Sequence, residues 1–195
     1  MSFNPCSLSE NMMSTWSTWY KKSSNRAHSD ISSKPEKKEK SHIKASNYLR
    51  KIEKSYNRSM PQKTITKSIT IKAPVETVWR VFTDPTLTSK MGGKYVTDWK
   101  VGSDFGWMGN DGVMYTRGAL LKIKKHELIE HDLFDVEDTG EVTSVITYKF
   151  SAQGNNTILT GTEGQTEDLD DEEYADAVAG WDEALKAVKE IAEKA

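Results

Sequence analysis

The sequence predicts an α+β domain in which a curved antiparallel sheet grips one long C-terminal helix, preceded by a tail that does not pack. Three observations carry this reading. Six short strand-like runs follow one another after Tyr95 with tight turns and no helix between them. A single apolar stripe runs from Tyr174 to Ala192 at helical spacing. The composition changes sharply near Met60.

The charge shows that change best. The 195-residue chain has a net charge of −2, yet residues 1–60 hold 12 Lys+Arg against 5 Asp+Glu and residues 61–195 hold 15 against 24. The first segment is basic and contains 14 serines. Such a composition cannot bury enough apolar surface to offset chain entropy, so residues 1–60 are expected to be a disordered, basic, Ser-rich tail. Ser41–Ser59 could form a short basic helix, and Trp16, Trp19 and Tyr20 form a small aromatic group, but an unpacked tail accounts for both. Residues 61–195 are expected to be the folded domain.

Its elements read in order. "TITKSITIK" places Ile65, Lys67, Ile69 and Ile71 on one face of a strand. Pro74 suits the first turn of a helix, because its missing N–H is one that would be unpaired there. Val75, Val78, Trp79 and Phe82 give that helix one apolar face, and Asp84-Pro85 stops it. "TLTSKMGG" reads as a second short helix closed by glycine. The strands "YVTDWKV", "DFGWMG", "VMYTRGALLKIKK", "ELIEHDLFDV", "VTSVITYKFSA" and "NTILTGTEGQT" follow, with turns at Asn110–Gly112, Asp138–Gly140 and Gln153–Asn156. Parallel pairing would need crossover connections, so an antiparallel meander is expected. The last helix, from about Asp170 to Lys194, carries Tyr174, Val178, Trp181, Leu185, Val188 and Ala192 as its stripe, with acid at its start and lysines near its end. Gly180 interrupts helix propensity midway, which suggests that close approach or room for a ligand matters there.

This order resembles the helix-grip fold of START-like (SRPBCC, Bet v 1-like) proteins, and in detail the family named after the activator of Hsp90 ATPase. Three stretches carry the resemblance: "ITIKAPVETVWRVFTDPTL", "DWKVGSDFGW" with "RGALLKI", and "GWDEALKAVKE" in the last helix. Together they span about Lys63 to Lys194. Met91 stands near a point where members place a tryptophan. Glu130 and Asp132 stand where members carry aromatics, so these positions would make the interior more polar if they faced inward.

A sheet curved around a helix leaves a concave interior suited to a small hydrophobic or amphipathic ligand. Phe105, Trp107, Met114, Leu121, Phe134, Tyr148, Trp181 and Leu185 are expected to line it. No catalytic residue is assigned. His131 and Asp132, adjacent on a strand, should point to opposite faces rather than form a dyad. Two other readings stay open: a small pocket enzyme of the cyclase or hydrolase type, which the resemblance allows, using His131 or a carboxylate, and a protein-interaction module contacting a chaperone. No cofactor, metal or nucleic-acid partner is expected. Cys6 is the only cysteine, and no HExxH or P-loop spacing occurs. The acidic run Glu167–Glu173 is explained as a solvated helix start. The sequence has no apolar run of membrane-spanning length and a polar N-terminus, so a cytoplasmic protein is expected.

Overall fold

The computed structural model describes residues 63–134, 142–165 and 169–195. The serine-rich tail with its aromatic group and basic helix, the turn at Asp138–Gly140 and residue Glu167 lie outside the described residues. Strand β1 (Lys63–Ile71) leads into helix α1 (Val75–Thr83), the short helix α2 (Pro85–Thr88) and a 3-10 turn (Ser89–Met91). Strands β2 (Gly93–Thr97), β3 (Asp104–Gly109), β4 (Met114–Lys124), β5 (Leu128–Phe134), β6 (Val142–Gln153) and β7 (Asn156–Gln165) follow, and helix α3 (Asp171–Ala192) ends the fold. The seven strands form one sheet in the order β1-β7-β6-β5-β4-β3-β2. All neighbours pair antiparallel. The expected meander is therefore present, with β1 returning to flank β7.

Local chemistry places each helix. Pro74 opens α1, its carbonyl accepting from the N–H groups of Thr77 and Val78 at 3.0 and 3.2 Å. Val78, Trp79, Val81 and Phe82 are buried. The proline at 85 holds Asp84 in an extended conformation, and the Asp84 carboxylate then caps α2 by accepting from the Thr86 N–H at 3.0 Å. Gly92, at φ 95°, closes the 3-10 turn in the left-handed region. Met91 is buried in the core.

Helix α3 starts with a capping box: the Asp170 side chain accepts from the Glu173 N–H, and the Glu173 side chain accepts from the Asp170 N–H. Its buried face is Glu173, Ala177, Trp181, Leu185, Val188 and Ala192. At its start the stripe thus runs through Ala177, while the expected Tyr174 and Val178 flank it half-buried. The helix lies against β1 and β7, reached from its exposed side by an ion pair between Lys67 and Asp182 at 3.0 Å. Along the strands, Ile65, Ile71, Phe105, Leu120, Ile129, Leu133, Ile146, Phe150 and Leu159 join this face in one core.

Among the described residues, no helix is long and apolar enough to cross a membrane.

Candidate functional site

The helix-facing side of the sheet carries a continuous band of aromatic rings. Tyr95 on β2 lies 4.9 Å from Phe105 and 4.9 Å from Trp107, both on β3. Phe105 stacks on His131 of β5 at 4.2 Å, and His131 lies 6.3 Å from Tyr148 of β6. Tyr148 reaches Trp181 of α3 at 5.6 Å and Phe82 of α1 at 4.9 Å. The ladders explain the alignment: Tyr95 pairs with Trp107, Ile129 with Tyr148, and Tyr148 with Gly161, so alternate residues share one face.

The eight expected lining residues fall into distinct positions. Phe105, Tyr148, Trp181 and Leu185 are buried on the helix-facing side, and Trp107 is half-buried beside Tyr95. Leu121 is the extra residue where the β4–β5 register shifts, and is half-buried. Met114 belongs to the other face: its Sδ lies 3.1 Å from where a Cβ on Gly106 would stand, and Gly106 alternates with Phe105 and Trp107. Phe134 is half-buried at the end of β5.

Polar groups sit inside this band. Glu163, on β7 facing α3, accepts from the Trp181 indole N–H at 2.7 Å and from the Gln165 amide at 2.8 Å. Burial nevertheless pushes its carboxyl above the usual range, against the hydrogen bonds from Trp181, Ser144 and Gln165. Tyr148 and Tyr95 hydrogen-bond through their hydroxyls. Burial raises both phenols, Tyr95 to about 12, and Glu163 adds to the rise at Tyr148.

His131 and Asp132 are both buried but do not form a dyad. The His131 Nδ1 donates to the main-chain carbonyl of Asp132 at 3.1 Å. The Asp132 carboxylate instead accepts from the Ala119 N–H at 2.5 Å, beside the register shift in β4. Burial pulls His131 down to about 4 and pushes Asp132 up to about 6. Glu130 pairs with Lys122 at 2.7 Å and accepts from Thr147 at 3.4 Å on the side away from the rings. Glu130 and Asp132 therefore do not polarise the interior; His131 and Glu163 do.

Gly180 is not the point of a close approach, because a Cβ there would meet nothing within 4 Å. The glycine that permits close approach is Gly161 on β7, where a Cβ would stand 2.0 Å from Cζ3 of Trp181. Glu163, Gln165 and Tyr95 were not among the expected site residues. The signal for Glu163 was available: it sits at an inward position two residues after Gly161, in the same alternation that buries Leu159.

A seven-stranded antiparallel sheet gripping a C-terminal helix, with this ring-lined interior, defines a START-like helix-grip protein. The model of the family described as "Activator of Hsp90 ATPase homolog 1-like protein" matches residues 72–193, and the chain belongs to that family. Solved structures agree on the fold. A Cytophaga hutchinsonii protein superposes with TM-score 0.57 at 23% identity, covering 70% of this chain and 97% of its own. Protein MLL2253 from Mesorhizobium loti gives 0.57 at 18% identity, covering 68% and 98%. CalU16 from Micromonospora echinospora gives 0.54 at 20% identity, covering 66% and 75%. No curated protein matches the chain at a significant level.

Proposed function

We propose that the domain binds a small, mainly apolar or amphipathic ligand between the sheet and α3, against Phe105, Trp107, Tyr148, Trp181 and Leu185. The observation that carries this reading is the presence of buried polar side chains, His131 and Glu163, within a band of aromatic rings. A core built only for packing gains nothing from a buried nitrogen left unpaired, as His131 Nε2 is, since burying a polar group costs free energy unless it is hydrogen-bonded. Ligand sites, in contrast, combine apolar walls with a few convergent polar groups. The family match begins at residue 72, which supports assigning the binding to the region 61–195 rather than to the tail.

The test is titration of the full-length chain with Nile red, an uncharged apolar dye. Saturable binding in the micromolar range is expected, with quenching of tryptophan emission that Trp181→Phe reduces. Absence of saturable binding below millimolar dye would remove the reading and leave the rings as core.

A further inference from the structure

His131 differs from every other polar side chain in the band. Its Nδ1 faces a carbonyl oxygen, which can only accept, so Nδ1 carries the proton and Nε2 presents a lone pair. Nε2 lies at the far end of the side chain from β5. It is buried, and among the described residues it is the one buried side-chain nitrogen or oxygen without a hydrogen-bond partner. Its ring is 3% exposed and held by Phe105 on one side and Tyr148 on the other. The depressed pKa, about 4, keeps the ring neutral at physiological pH and the lone pair available.

The Tyr95 and Tyr148 hydroxyls bond to each other, which commits one of their two O–H donors, and the other neighbouring groups are acceptors or already paired donors. The indole N–H of Trp181 and the amide of Gln165 are already given to Glu163. Lys67, on the same face of β1, is tied to Asp182. An anionic ligand would meet a lone pair at His131 and a second carboxyl group at Glu163. A donor would instead complete a hydrogen bond that the fold leaves open, and an unmet buried acceptor carries the full cost of its desolvation.

Resting on the ligand-binding reading above, we infer that this interior selects an uncharged, mainly apolar ligand bearing one hydrogen-bond donor, a hydroxyl or N–H directed at His131 Nε2, and discriminates against carboxylates of the same size. The class is that of apolar alcohols, phenols and N–H heterocycles rather than fatty or aromatic acids.

Three probes with one skeleton separate the possibilities: naphthalene, 2-naphthol and 2-naphthoate, titrated calorimetrically into the full-length chain at neutral pH. 2-Naphthol should bind up to roughly tenfold more tightly than naphthalene, as one net hydrogen bond allows, and 2-naphthoate should bind more weakly than either. His131→Phe, which keeps a ring and removes the acceptor, should bring naphthol and naphthalene within about twofold of each other, as loss of that one bond requires. If that variant fails to fold, the Nε2 nitrogen resonance of the wild-type chain decides: it should move upfield with 2-naphthol and stay in place with naphthalene. Equal affinity for naphthol and naphthalene, or naphthoate binding as tightly as naphthol, would overturn the donor selectivity while leaving apolar binding intact. If neither the three probes nor Nile red binds, the ligand-binding reading falls and the selectivity falls with it.

Discussion

From β1 through β7 to β6 the ladders run without a shift, Lys63 to Ile71 pairing with Gln165 to Thr157 and these in turn with Ser144 to Ala152. Between β3 and β6 the register shifts at three places, near Trp107, Leu120 and Leu133. The regular part is a platform. Its outer face closes with hydroxyl pairs, Thr66 with Thr162 and Ser68 with Thr160, and its inner face takes α3. The shifted part is where the sheet bends, because an extra residue in one strand bends that strand and increases its twist. There Asp132 takes up the Ala119 N–H, His126 adopts φ 63° between β4 and β5, and Val113 stays exposed between β3 and β4. The comparison teaches where each task sits. Regular pairing supports the helix, and irregular pairing flanks the strand that carries His131 into the band of rings.

The strongest way to break the platform is Trp181→Ala. It removes a buried ring and leaves Glu163 without its indole donor, so a loss of about 3–5 kcal/mol is expected in denaturant unfolding. A loss below about 1 kcal/mol, far under the usual cost of a buried tryptophan, would show that α3 docks without this anchor.

The bent part is probed by pH. Asp132 has its folded pKa raised from 3.8 to about 6, so between these values the folded state binds the proton more tightly and stability rises as pH falls. His131 has its folded pKa lowered from 6.5 to about 4, so over nearly the same window the unfolded state binds the proton more tightly and stability falls as pH falls. Each contribution is on the order of 3 kcal/mol, and the two oppose. In the wild type they should largely cancel between pH 6.5 and 4. Relative to wild type, His131→Phe should gain stability across that window on acidification, and Asp132→Asn should lose it. Parallel pH curves for the three proteins would show that neither group is held in the protonation state the geometry implies.

The order of elements was legible because each rests on local signals: Asp84-Pro85 for the break, alternation for the strands, the stripe through Trp181 for α3. The helix-facing positions of Phe105, Tyr148, Trp181 and Leu185 follow from those periods. What the sequence did not show depends on register. A shift at Leu120 decides that Leu121 is an extra residue, and the shift near Trp107 accompanies Met114 on the opposite face from Phe105. The polar interior was legible only in part. Alternation through Leu159 marks Glu163 as inward, but its partners come from β6, from β7 and from a helix 18 residues further on, and only the fold brings them together.

The smallest effects sharpen the comparison at two glycines that the sequence treats alike. Gly161 lies on the platform with the Trp181 ring against its Cα, and that ring cannot swing away without giving up its bond to Glu163. Gly161→Ala should therefore destabilise by about 1–3 kcal/mol, the usual cost of overpacking a core. Gly180, one residue before the same tryptophan on α3, has open space where a Cβ would go. Gly180→Ala should stabilise by up to about 1 kcal/mol, because alanine restores helix propensity and meets no neighbour. Both variants are measured by denaturant midpoint at constant slope. Opposite signs would place the close approach on the strand. Destabilisation at Gly180 instead would mean that the helix glycine serves a contact or a ligand, returning the constraint to the position the sequence first suggested.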